Sequence, residues 1–397
     1  MLEAGSFRVV DSGTLGGGTF SEDVTVNSGA LFELAGTAAI EVKGSLTNVG
    51  SGRILISGEG VKLTADKGHD WELNVSGRAT ASGYGTLPTG GAGTKVLAGG
   101  ELSIGETLGY WGPLSGGGPI YVYADGLVRL IHPTAMGVSK PWYLVGGAVA
   151  NENTASSYPI VYQLNMADGA TFTGSRVGVG FKDHYDNWSF VNVGGTSPST
   201  FAAEDMMVGY QAPATAANHK VGVKFIVADV TGDAAVDFTL ESPIVDREGV
   251  SLYQGEALRE NCGVWKTGAG TMLLTAATHN EPQGVFKIDA GAIRLGSTCA
   301  GKLGALLVGG DSAIEVAEGG CIAFEDSASV AWASDATLTI RGQAKSRSIR
   351  IGTSADALTA DQLVQIRYES ASGVQKPVTI DANGYLRFES GFRLIVR

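Results

Sequence analysis

The sequence predicts an all-β chain: a right-handed parallel β-helix, a single elongated solenoid domain with decorated middle coils and a short C-terminal helical turn. Three observations carry this expectation. Apolar and polar residues alternate in runs of only three to five, the signature of short half-buried strands. Glycine, 59 of 397 residues, punctuates those runs at about twice its usual share of ~7%. One unit then recurs along the chain: a strand, small or acidic residues, a glycine, and a second strand. Such repetition describes stacked coils rather than elements wrapped around one central core.

The first coils show the alternation most densely, in runs at 24–26, 31–34, 40–42 and 54–56, separated by Gly29, Gly36, Gly44, Gly50, Gly52 and Gly58. These turns come closer together than those of a β-sandwich, at roughly 8–12 residues. The recurring unit appears as VTVNSGALFEL (24–34), VLAGGELSI (96–104), YVYADGLVRL (121–130), LNMADGATFTG (164–174), FKIDAGAIRL (286–295), IEVAEGGCIAF (314–324) and TIDANGYLRF (379–388). A corner needs a residue at positive φ, which glycine adopts without a Cβ clash. Asp or Asn before it can bond the turn backbone. The same local pattern also fits β-hairpins, but its recurrence and the near absence of helical periodicity favour coils. The one helix-like piece is TADQLVQIR, Thr359 to Arg367, with Leu363 and Ile366 on one face.

Three zones follow within one continuous solenoid. Residues 1–105 read as regular coils, 106–260 as irregular aromatic-rich coils with long loops, and 261–397 as regular coils ending in a cap. The middle zone carries Tyr110, Trp111, Tyr121, Tyr123, Trp142, Tyr143, Tyr158, Tyr162, Tyr185, Trp188 and Phe190.

Composition limits the function classes. The net charge is −12 and the pI about 4.9, so an acidic, lysine-poor surface argues against nucleic acid and anionic membranes as partners. No apolar window of ~18 residues predicts a transmembrane helix. The opening MLEAGSFRVV lacks the basic and apolar regions of a secretory signal. Of three cysteines, Cys299 and Cys321 are separated by the length of one plausible coil. Equivalent positions on adjacent coils stack about 4.8 Å apart. Both a disulfide and a pair of reduced buried thiols fit this spacing.

The stretch from Gly263 to Gly296 carries a resemblance. Lys266, Gly268, Gly270, Thr271, Met272 and Leu274, then Gly291, Ile293, Leu295 and Gly296, match the autotransporter-associated β-strand repeat of passenger-type right-handed β-helices. The family's usual turn between these halves is replaced by ATHNEPQG. A second segment, SRSIRIGTSADALTADQLVQIRYES followed by TIDANGYLRF, resembles the closing part of large bacterial surface repeat proteins. Together the two cover about a quarter of the chain. The resemblance implies an exported, extracellular or cell-surface β-helix from a family largely without assigned chemistry. Nothing after residue 300 reads as the run of amphipathic strands, ~10 residues each, of a translocator barrel.

Candidate chemistry is sparse. Acidic and imidazole groups cluster at Asp66, His69, Asp70 and Glu72, and at Asp183, His184 and Asp186 beside Tyr185 and Trp188. The second cluster could serve a glycoside hydrolase, which needs carboxylates on one face of adjacent coils. A lyase would need cations such as Lys182, Arg176 or Lys224. The histidines are scattered, with no metal-ligand spacing, so no metal or cofactor is expected. The sequence therefore favours a structural or adhesin-like surface module that presents loops to a carbohydrate or host-surface ligand. Trp111, Tyr123, Trp142, Tyr143 and Trp188 are its candidate glycan contacts. The alternative is a polysaccharide-active enzyme of the β-helix type.

Overall fold

The computed structural model describes residues 6–9, 19–20, 24–34, 41–42, 46–48, 53–56, 61–64, 73–82, 93–105, 118–131, 141–154, 159–179, 189–208, 221–246 and 262–388. It is a parallel β-helix, almost entirely strand. The chain divides into two compact units, residues 1–181 with 190–205, and residues 206–397 with 182–189.

In the N-terminal unit each coil contributes one strand to each of two long parallel ladders. The first ladder runs through Leu31–Leu34, Arg53–Ile56, Leu73–Val75, Thr94–Val96, Ile120–Tyr123, Pro141–Val145, Gln163–Ala167 and Ser189–Gly194. The second runs through Val61–Thr64, Arg78–Ser82, Glu101–Ile104, Leu127–Leu130, Ala148–Asn151, Thr171–Gly174 and Ser199–Ala203. A third side is formed where Ile160–Val161 pairs with Val177–Val179. Ile120 lies beside Trp142 and Trp142 beside Leu164, so these two successive coils are equal in length.

Period-two alternation puts every second side chain inside. Interior residues therefore form rows along the stack, such as Val96, Val122, Leu144, Met166 and Val193, all buried. Phe172 and Phe201 continue a row on the second ladder, with rings stacked at 4.7 Å and 8°. Each such buried side chain contributes about 1.5–3 kcal/mol, and stacked rings add about 0.5–1.5 kcal/mol.

The C-terminal unit has three sides. Its first ladder contains Val221–Val227 and Cys262–Thr267, and its second contains Phe238–Leu240, Thr271–Leu274, Gly291–Leu295, Ser312–Val316, Leu338–Gly342 and Ile366–Glu369. The third contains Met206–Val208, Ile244–Asp246, Ile322–Phe324 and Ile349–Ile351. Two longer strands, His279–Ile288 and Gly301–Val308, serve the third ladder with their first residues and the first ladder with their last. The register between them shifts between Glu281 and Val285, where the chain turns the corner.

The corners explain the recurring unit. Gly291 has φ +68°, and a Cβ there would lie 2.4 Å from the Gly268 carbonyl oxygen and 2.5 Å from that of Gly270. At 124–126 the left-handed residue is instead Asp125, φ 62°. Gly126 is needed for closeness, since a Cβ would come within 2.9 Å of the carbonyl oxygens of both Tyr123 and Val96. The final unit, TIDANGYLRF, is not a corner: Gln375–Ile380 and Leu386–Phe388 pair antiparallel, as a hairpin.

All three ladders of the C-terminal unit are closed at their last strand. On the first, Ser327 Oγ accepts from Leu306 N at 2.9 Å and Trp332 Nε1 donates to Leu306 O at 2.8 Å. Val330 packs with Val285, Ala305 and Leu307 to cover the sheet's outer side. The second ladder ends where Ile366–Glu369 pairs antiparallel with Gln375–Ile380. On the third, Ile351 N donates to Gly384 O at 2.8 Å. The expected helical turn is α1, Ala360–Gln365, started by a capping box in which Thr359 and Gln362 bond each other's backbone N–H. Gln362 Nε2 donates to the carbonyls of Ser327 and Val330, and Gln365 Nε2 to those of Ala333 and Ala336, so α1 clamps the covering loop.

The spacing of Cys299 and Cys321 misleads about their alignment. Lys302 lies beside Ala323, so the same register sets Cys321 beside Ala300 rather than Cys299. Both thiols are free, and burial pushes Cys299 up to about 12, which makes it unreactive.

A Gly291→Ala substitution should lower stability by more than the ~1–2 kcal/mol that a left-handed conformation costs, because backbone oxygens occupy the added methyl's space. A urea midpoint unchanged from wild type would contradict this account of the corner.

Candidate functional site

A functional site must be built from outward positions, because the interior is filled. On the first ladder of the N-terminal unit, Lys95, Tyr121, Tyr143, Asn165 and Asn192 occupy one row across successive strands. They point outward because Val96, Val122, Leu144, Met166 and Val193 beside them are buried. Tyr121 and Tyr143 stack at 4.9 Å and 14°, and Tyr123 lies nearly parallel to Tyr121 at 6.4 Å. Asn192 Nδ2 donates to Asn165 Oδ1 at 2.8 Å, and Asn165 Nδ2 donates to Trp142 O at 3.1 Å. The neighbouring outward row is Tyr123, Val145, Ala167 and Gly194. Its side chains shrink along the stack and leave a shelf beside the tyrosine and asparagine row.

Of the residues expected to touch a ligand, Tyr123 and Tyr143 lie on this face. Trp142 does not: it is 1% exposed. One position from an outward tyrosine, alternation turns its indole into the core. Trp111, Asp183, His184, Tyr185, Asp186 and Trp188 lie outside the described residues, as do Asp66, His69, Asp70, Glu72 and Lys182. Arg176 is held by Asp205 at 3.1 Å and Glu204 at 3.4 Å. Tyr121, an aromatic of the middle zone not among the expected contacts, also belongs to the face, as do Asn165 and Asn192, which nothing in the local sequence singles out.

The second ladder has a different surface. Arg129 Nε reaches Glu101 at 2.8 Å, its Nη1 reaches Glu152, and Arg78 lies 3.5 Å from Glu101. In the C-terminal unit Glu315 bridges Arg294 at 2.6 Å and Arg341 at 2.7 Å. These pairs step from coil to coil, each worth ~0.2–1 kcal/mol where exposed, and they reinforce the stack.

The first ladder of the C-terminal unit carries a third arrangement. Lys224 Nζ lies 3.7 Å from the Trp265 ring centroid and Lys287 Nζ 4.1 Å from it. Trp265 Nε1 donates to Asp289 Oδ2 at 2.6 Å, and Asp289 Oδ1 lies 3.3 Å from Lys287 Nζ. Partial burial lowers the Lys224 pKa, and repulsion from Lys287 adds to this, while Asp289 opposes it. The indole is thus a spacer between two cations.

Buried ionisable groups occupy structural positions. Lys266 takes an inward position between Phe225 and Ile288, fully buried. Its Nζ donates to Gly268 O at 2.8 Å and Ala290 O at 2.9 Å, tying its own corner to that of the next coil. Burial pushes it down to about 8, opposed by the charge of Asp237. Asp237, also fully buried, accepts from the backbone N–H of Val230, Thr231 and Thr271 and from the Thr231 hydroxyl. Of the residues matched by the repeat resemblance, Lys266, Gly268 and Gly270 thus belong to one corner and Gly291 to the corner stacked on it. His279, 3% exposed, accepts from Ile244 N through Nδ1 at 3.2 Å, and burial pushes its pKa down to about 4.

Among the described residues no group of three or more His, Cys, Asp or Glu is placed to hold a metal ion. No helix among them is long and apolar enough to cross a membrane. Two shallow grooves, about 460 and 620 Å³, flank α1 and share Val364. No family model, curated protein or solved structure matches the chain.

Replacing Lys266 by Met should cost about 1–3 kcal/mol, since two carbonyls lose a donor and Asp237 loses its nearby cation. Lys345→Met, at an exposed pair with Glu318, should stay within ~0.5 kcal/mol. Equal unfolding midpoints for the two variants would refute the corner role. His279 is protonated more readily unfolded, near pH 6.5, than folded, near 4. Its stabilising effect is thus complete above pH 6.5 and is lost as pH falls toward 4, by roughly 3 kcal/mol in all. His279→Asn, which retains an acceptor for Ile244 N–H, should show a shallower decline of melting temperature across that interval.

Proposed function

We propose that this chain is an extracellular or cell-surface β-helix module, structural and adhesive rather than catalytic, which presents its outer faces and loops to carbohydrate. One observation carries the reading: the two kinds of outer face are used differently. The second ladder spends its charges on ties between coils, through Arg78, Glu101, Arg129 and Glu152 in one unit and Arg294, Glu315 and Arg341 in the other. The first ladder of the N-terminal unit instead displays tyrosines and asparagines, which make adaptable contacts at low entropic cost. The repeat-like corner around Lys266 supports kinship with passenger-type coils, which are exported.

The test is to incubate the purified chain with immobilised neutral and acidic polysaccharides while following new reducing ends and the absorbance of unsaturated uronates. Retention on at least one polysaccharide without turnover is expected. Steady product release would replace the adhesive reading with an enzymatic one, and no retention on any glycan would remove the carbohydrate partner.

A further inference from the structure

We propose that the outer face of the first ladder in the N-terminal unit binds a single extended chain of an uncharged, hydroxyl-rich polysaccharide, laid along the coil axis. This deepens the carbohydrate-binding reading and rests on it.

Charge is the first argument. Glu33 and Arg53 lie on the ladder's first two strands, but from Leu73 onward the strands Leu73–Val75, Thr94–Val96, Ile120–Tyr123, Pro141–Val145, Gln163–Ala167 and Ser189–Gly194 hold one charged residue, Lys95, and no carboxylate. The protein's net charge of −12 is therefore carried elsewhere. A polyanion would be repelled by the protein's overall field, and a polycation would find no carboxylate on the strip to pair with. A neutral polyhydroxylated ligand meets neither obstacle.

Geometry is the second. The polar groups recur once per coil, at about 4.8 Å, a spacing comparable with one pyranose ring in an extended glycan. Tyr121, Tyr143, Asn165 and Asn192 thus offer two hydroxyls and two amides in file. Because Tyr121 and Tyr143 stack on each other, their ring faces are turned along the row, and hydroxyls and ring edges are left for the ligand. The row therefore serves as a hydrogen-bonding wall rather than an aromatic platform. The shelf of Val145, Ala167 and Gly194 alongside it supplies apolar floor for the C–H faces of the sugars, with Tyr123 at its end.

Preorganisation is the third. The Tyr121–Tyr143 stack and the chain from Asn192 through Asn165 to the Trp142 carbonyl already fix these side chains. Binding then loses little further rotamer freedom, a cost of about 0.5–1.5 kcal/mol for each side chain newly immobilised.

The experiment is calorimetric titration of the full chain with neutral β-linked gluco-oligosaccharides from disaccharide to hexasaccharide, alongside uronate oligomers of matching length. Affinity should rise with each added neutral sugar until the row is filled, and uronates should bind more weakly at every length. Tyr143→Ala combined with Asn165→Ala should weaken the longest neutral ligand at least about tenfold, or 1.4 kcal/mol. Tyr143→Phe with Asn165→Ser, which keeps the ring stack and a polar group at each strand position but one, should give a smaller loss in the same direction and a higher melting temperature than the alanine pair. Length-independent affinity, stronger uronate binding, or wild-type affinity in the conservative pair would overturn the proposal. Glycan retention that survives in both double variants would leave the broader adhesive reading standing and remove only this face as its site. A wild-type chain that binds no glycan at all would remove both.

Discussion

The structure depends on one constraint: in a parallel stack, each strand's backbone groups are satisfied only by the coil before and the coil after. An unpaired buried N–H or carbonyl costs about 1–3 kcal/mol, so register must hold from one coil to the next. This requirement explains the rows inside, where valines, leucines and phenylalanines repeat in line. It also explains the corners, where glycine or a left-handed Asp125 lets the backbone pass within contact of the coil below. Lys266 is the same requirement met by a side chain, since its ammonium binds carbonyls of two successive corners.

The constraint also accounts for how the two outer surfaces came to differ. Positions matched in register are neighbours at close range, so opposite charges placed there become ties, as Glu315 is between Arg294 and Arg341. Tyrosines and asparagines placed there become a continuous strip instead, as on the first ladder of the N-terminal unit. The same rule therefore gives cohesion on one face and a regular display on another.

Much of the fold was legible because its signals are local. Alternation in 24–34, 121–130 and 286–295 marks strands, the glycines between mark turns, and Thr359 with Gln362 starts the short helix. What was not legible depends on coil length, which insertions alter. Tyr121, Tyr143 and Asn165 align through two coils of equal length, whereas the next coil, from Leu164 to Val191, is longer. No fixed period carries the row forward to Asn192. For the same reason Cys299 and Cys321 miss alignment by a single place, because the local coil is shorter than the gap between them. Trp142 shows the sharper failure: aromatic content attracted attention, while parity along the strand decided that Tyr143 faces out and Trp142 in. TIDANGYLRF carries the same strand–Asp–Gly–strand pattern as the corners, and only its antiparallel pairing makes it a hairpin.

The closed end of the C-terminal unit has a consequence for the order in which the molecule opens. In a repeat stack, coils melt most readily where they have a neighbour on one side only. Ser327, Trp332, Gln362, Gln365 and the Gln375–Phe388 hairpin supply the missing neighbour for the last strands of all three ladders. Fraying from that end is thereby suppressed, and the amide hydrogens of the coils beside α1 gain protection against exchange with solvent. Opening of the C-terminal unit is directed away from its last coil.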